Sequence, residues 1–97
     1  MKQTCFTARL KAECRAEYIE AHNNFSAELR EKYLAAGVRQ IKLYLRGEQL
    51  VMIVEADDFE KARELLAADP LDQLWQQQVG PMKDPDFEPL EEIFRLK

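Results

Sequence analysis

Between Thr4 and Leu10 the chain alternates. Cys5, Thr7 and Arg9 fall on one side and Phe6, Ala8 and Leu10 on the other, the period of a strand. From Ala12 to about Ala36 the alternation is lost, and Ala, Glu, Leu, Arg and Lys dominate, which predicts a helix. Asn23-Asn24 interrupts that run. Asparagine side chains compete for nearby backbone groups, so a kink or break is expected there. Gly37 then closes the helix as a left-handed cap. Ile41-Lys42-Leu43-Tyr44-Leu45 alternates again, Arg46-Gly47-Glu48 is a tight connection, and Leu50 to Glu55 is nearly all apolar. This predicts a hairpin whose second strand is covered on both faces or by a partner. Asp57 or Asp58 caps a second helix that runs through Ala68. Asp69-Pro70 ends it and opens a third helical segment over Leu71 to Val79, with proline suited to the first turn. Pro81 to Pro89, with three prolines, reads as loop, and Leu90 to Lys97 as a last strand.

The order β-α-β-β-α-(α)-β is that of an α+β, ferredoxin-like split βαβ fold, one antiparallel sheet with helices on one face. The other face also needs cover. A strand as apolar as Leu50 to Val54 predicts that a second copy supplies it, giving a homodimer of the dimeric α+β barrel kind. The 97 residues suffice for one core, so 1–97 is expected to form a single α+β domain. Phe6, Tyr44 and Phe94 occupy strand positions and are expected in that core.

Charge and cysteine content narrow the functions. Fourteen Lys and Arg against 18 Asp and Glu give a net charge of −4, which leaves no basic surface for nucleic acid. The longest apolar run, Leu50 to Val54, is far short of the ~20 residues of a membrane helix. The start, Met1-Lys2-Gln3-Thr4, lacks a signal-peptide core, so a cytoplasmic location with Cys5 and Cys14 reduced is expected. With one histidine and no CxxC pair, no metal site is expected. The chain also shows no glycine-rich phosphate loop, nucleophile elbow or usefully spaced carboxylate pair, and no cofactor is expected.

His22, the single histidine, stands four residues after Tyr18, so a regular helix puts the two on one face. The asparagines behind it place it at the helix's broken end, where a side chain can face a cavity. Imidazole gives and takes protons near neutral pH. The same spacing also fits a surface histidine or a satisfied core histidine. Trp75, the single tryptophan, lies among amides in Gln73-Leu74-Trp75-Gln76-Gln77-Gln78. Its indole can stack on a sugar ring while amides bond hydroxyls, or it can anchor its helix on the sheet.

Several stretches together resemble the L-rhamnose mutarotase family, small dimeric α+β proteins that interconvert sugar anomers. They are Glu17-Tyr18-Ile19-Glu20-Ala21-His22-Asn23, Glu28-Leu29, Gly37 with Leu43-Tyr44-Leu45, Leu50 to Glu55, Trp75 ahead of Met82, and Leu90-Glu91-Glu92-Ile93-Phe94-Arg95-Leu96. The resemblance runs end to end. It implies that His22 is the proton donor and that Tyr18 and Trp75 contact sugar. Four places depart from the family pattern. Leu74 replaces the first tryptophan of a pair, Ser26 a tryptophan after the histidine, Gln40-Ile41 an Asn-Tyr, and Arg46 an aspartate.

Opening a hemiacetal ring requires one proton delivered to the ring oxygen and one removed from the anomeric hydroxyl. A positioned acid/base supplies on the order of 10²–10⁴-fold, enough for a reaction that already occurs in water. The expected function is thus mutarotation of a six-membered sugar such as L-rhamnose, with His22 as acid and base, Tyr18 orienting it or the anomeric oxygen, and Trp75 holding the ring. Two other readings share the element order: a cofactor-free monooxygenase of the dimeric α+β barrel kind, and a non-catalytic dimeric ligand-binding module.

Overall fold

The structure, a computed structural model, describes residues 2–97; Met1, the first residue of the expected domain, lies outside them. Strand β1 spans Lys2–Arg9. The long helical run is divided as the asparagines require. A 3₁₀ turn over Ala12–Cys14 leads into α1, Arg15–Asn23, and α2 follows over Ala27–Ala35. Asn24 closes α1, its side chain donating to the Glu20 carbonyl at 3.1 Å, and the Ser26 hydroxyl accepts the Leu29 amide at 3.0 Å to open α2. Strands β2, Val38–Arg46, and β3, Gln49–Ala56, form the expected hairpin. Its two-residue loop begins with Gly47 at φ +60, the geometry of a type II′ turn. Helix α3, Phe59–Ala67, is capped by Asp58, and α4, Pro70–Val79, by Asp69 with Pro70 in its first turn.

A short β4, Glu88–Pro89, completes an antiparallel sheet of order β2-β3-β1-β4. Paired residues share a face, so the register sorts side chains. Phe6, Ala8, Leu50, Met52, Val54, Ile41, Leu43 and Leu45 point toward the helices; Cys5, Thr7, Tyr44, Val51 and Ile53 point to the other side. Two buried clusters tie the layers together. One holds Ala8, Leu10, Tyr18, Leu50, Val79 and Met82, the other Val38, Val54, Ala56, Ala62 and Leu66. Full burial of a leucine such as Leu10 or Leu50 contributes about 1.5–3 kcal/mol. Between the clusters, Phe6, Ile41, Leu43 and Met52 are only half-buried, so the helices cover the middle of the sheet incompletely.

The C-terminal part differs from the expectation. The segment read as a loop lies along β1: Lys83 bridges Leu10, the Asp84 amide bonds the Arg9 carbonyl at 2.8 Å, and Thr7 pairs with Glu88. Prolines confine it to the sheet edge, because they have no N–H to give a central strand. The segment read as the last strand forms none. Leu90 donates its amide to the Cys5 carbonyl, and beyond it Ile93, Phe94 and Leu96 are 88%, 76% and 85% exposed. Phe94 is therefore not core, and Tyr44, 54% exposed on the outer face, is not either. Alternation makes a segment able to pair, but the single chain offers it no partner edge. Among the described residues no helix is long and apolar enough to cross a membrane.

Candidate functional site

The break after α1 sets the site. Tyr18 is buried in the core, and one turn later the half-buried His22 ring leans on the Tyr18 ring, with centroids 4.4 Å apart at 44°. The Trp75 ring of α4 meets the imidazole nearly edge-on, at 4.9 Å and 80°. Phe25, in the turn after α1, packs edge-on against Trp75 at 4.9 Å and against Tyr33 of α2 at 5.7 Å. The structure thus brings together the three residues singled out in the sequence. The turn holds their spacing, with the Phe25 amide donating to the His22 carbonyl at 3.2 Å.

One hydrogen bond decides what His22 can do. Its Nδ1 lies 2.8 Å from the Tyr18 backbone carbonyl oxygen. A carbonyl only accepts, so Nδ1 carries the proton and the neutral ring keeps its lone pair at Nε2. Burial pushes the imidazole below the ordinary histidine range; the Tyr18 carbonyl opposes this, and the positive charge of Lys83 adds to it. Burial, reinforced by the Asp86 carboxylate, pushes the Tyr18 phenol well above the ordinary tyrosine range. Near neutral pH the pair is therefore an uncharged imidazole able to accept a proton and a protonated phenol able to donate a hydrogen bond.

Three residues of this neighbourhood carry no signal in the sequence. Lys83 is buried, its Nζ 3.0 Å from Asp86 Oδ1, 4.3 Å from the centre of the Phe87 ring and 5.8 Å from that of Tyr18. In a proline-rich stretch a lysine reads as surface; its bridge to Leu10 turns it to the helix side instead. Asp72, three residues before Trp75 on α4, is buried and accepts a short 2.5 Å bond from the Tyr33 hydroxyl. Burial, then the Asp72 carboxylate, hold Tyr33 protonated.

Two hollows flank these residues. A cleft of about 710 Å³ on the helix side is floored by Phe6, Met52, Phe59 and Phe87 and rimmed by Asp58 and Arg63. A shallower groove of about 440 Å³ between α1 and α4 is walled by Trp75, Leu74, Glu20, Asn24 and Gln78. Neither includes His22. Trp75 lines the second and touches the imidazole, and Phe87 lines the first and packs into the core that holds Tyr18. Among the described residues no group of three or more His, Cys, Asp or Glu is placed to hold a metal ion.

Known proteins resemble this chain in sequence and in fold. A sequence model of the L-rhamnose mutarotase family matches residues 3–96. An L-rhamnose mutarotase from Opitutus terrae is 33% identical over 104 residues, covering 99% of each chain. An L-rhamnose mutarotase from Formosa agariphila superposes with a TM-score of 0.83 over the whole of both chains, at 18% identity. An antibiotic biosynthesis monooxygenase superposes at 0.62 with 12% identity, covering 96% of this chain and 99% of that one. At these identities the last two show the fold alone.

Proposed function

The chain belongs to the L-rhamnose mutarotase family, and from that membership we propose that it interconverts the α and β anomers of L-rhamnose or a related six-membered sugar. The observation that carries the reading is the bond from His22 Nδ1 to the Tyr18 carbonyl, which leaves Nε2 free beside the Trp75 ring. His22 Nε2 takes the proton of the anomeric hydroxyl as the bond between C1 and the ring oxygen breaks. The ring oxygen leaves as a hydroxyl, the proton reaching it from the imidazolium or through Tyr18. The aldehyde then turns its other face, the same hydroxyl attacks C1, and the protons return, so the balance closes on proton transfer alone. Trp75 offers an apolar ring surface for the C–H face of the sugar.

A homodimer is part of the reading. It is supported by an outer sheet face carrying Cys5, Tyr44, Val51 and Ile53, and by the exposed Ile93, Phe94 and Leu96. A cytoplasmic location is proposed as well; free Cys5 and Cys14 fit a reducing compartment. Saturation-transfer NMR of anomeric protons over L-rhamnose and a panel of hexoses tests the reaction. Exchange faster than in buffer is expected for L-rhamnose or a close relative, and exchange at the buffer rate with every sugar would refute it. The apolar floor of the larger cleft favours a second reading, oxygenation of an aromatic substrate, which oxygen uptake with a quinol would reveal.

A further inference from the structure

Asp72 and Lys83 are the buried charged residues among those described, and the reaction as derived uses neither. Asp72 is held by Tyr33. Lys83 is different, because it lies behind the proton-handling pair. Leu10 and Lys83 are bridged across the sheet edge and share a face, so the phase of the β1 register sends the lysine toward the helices, under Tyr18. Its side chain is 3% exposed, while its partner Asp86 is 62% exposed. Water screens the carboxylate more than the ammonium; the lysine charge acts at His22, while at Tyr18 the Asp86 carboxylate is the charge that acts.

We propose that Lys83 is a positioning residue for the sugar reaction: its buried ammonium, held by Asp86 and the rings of Phe87 and Tyr18, supplies a fixed positive charge that favours negative charge on the anomeric oxygen as His22 takes its proton. This rests on the mutarotase reading. The rings packed on His22, those of Tyr18 and Trp75, and Phe25 beyond Trp75, carry no charge near neutral pH. Glu17 and Glu20 of the same helix line the outer groove. Lys83 and Asp86 are the charged pair behind Tyr18, and the lysine charge acts with burial to keep the imidazole neutral. The cation thus serves both halves of the first step. It keeps the base unprotonated and makes the hydroxyl proton easier to remove.

His22 is the single histidine, so its Cε1 proton gives one imidazole signal to follow by NMR titration. The titration is run on the parent chain, Lys83→Met, Lys83→Arg and Asp86→Asn, beside pH–rate profiles of anomer exchange with L-rhamnose. The expected result is a His22 midpoint that rises in Lys83→Met, is restored by Lys83→Arg, and falls in Asp86→Asn. The acid limb of kcat follows it, with about threefold more rate lost near pH 6 than near pH 8 in Lys83→Met and a smaller change in KM. A purely structural lysine moves none of these. Midpoints unmoved in both Lys83→Met and Asp86→Asn, with turnover intact, overturn the inference alone. If Lys83→Met fails to fold, Asp86→Asn, at a water-facing carboxylate, decides by itself. Absence of sugar turnover in the parent chain removes instead the reaction on which the inference rests.

Discussion

The Nδ1 of His22 donates to the backbone carbonyl of Tyr18 one turn earlier, at 2.8 Å. A single helix-end bond thereby fixes both the tautomer of the imidazole and its place beside Trp75. The imidazole reaches back one turn along α1, which ends at Asn23 just beyond it.

If Nε2 is the proton acceptor, His22→Ala loses the acid/base contribution and little else. Anomer exchange is expected to fall by about 10²–10⁴-fold, with the thermal midpoint nearly unchanged for a half-buried ring. Saturation-transfer NMR and a melting curve on the same sample separate the two effects.

Trp75 is assigned to holding the sugar, so Trp75→Ala is expected to raise KM more than it lowers kcat. Aromatic contacts of about 0.5–1.5 kcal/mol correspond to up to roughly tenfold in affinity. A loss confined to kcat would instead mean that the indole acts by holding the His22 ring.

The pH dependence follows from burial. The folded protein holds the His22 proton less readily than the unfolded chain does, since burial and then Lys83 disfavour the imidazolium. The unfolded state therefore binds more protons, and stability rises with pH across the window up to about 6.5, the unfolded value. Below that window the stability assigned to this group is lost. His22→Gln is expected to flatten this part of the stability curve, measured by urea unfolding near pH 5 and pH 7 and compared with the parent.

Tyr33→Phe leaves Asp72 buried with its one side-chain hydrogen bond removed. A loss of about 1–3 kcal/mol is expected by urea unfolding. Adding Asp72→Leu removes the orphaned carboxylate as well and should recover most of it. A double variant no more stable than Tyr33→Phe would show that the pair contributes through packing rather than through the bond.

The exposed tail bears on assembly. Phe94→Asp, at a side chain 76% exposed in the single chain, is expected to leave the fold intact and shift the proposed homodimer toward monomer by analytical ultracentrifugation. Unchanged sedimentation would place the dimer contact on the outer sheet face alone.

Local chemistry made much of this molecule legible from its residues. Alternation over Thr4 to Leu10 and Ile41 to Leu45, the caps at Asp58 and Asp69, and the turn at Gly47 are short-range choices, settled by neighbours along the chain. Tyr18 and His22 share a face because a helix repeats every 3.6 residues. Tertiary structure decided what depends on residues far apart in sequence. The register of the edge segment on β1 turned Lys83 inward, made the proline-rich stretch part of the sheet, and left Ile93 to Leu96 without a partner. The packing of α2 on α4 joined Tyr33 to Asp72, and that of α4 on α1 set Trp75 on His22. Strand pairing and helix packing are long-range agreements between surfaces, and no window of neighbouring residues contains both sides of one.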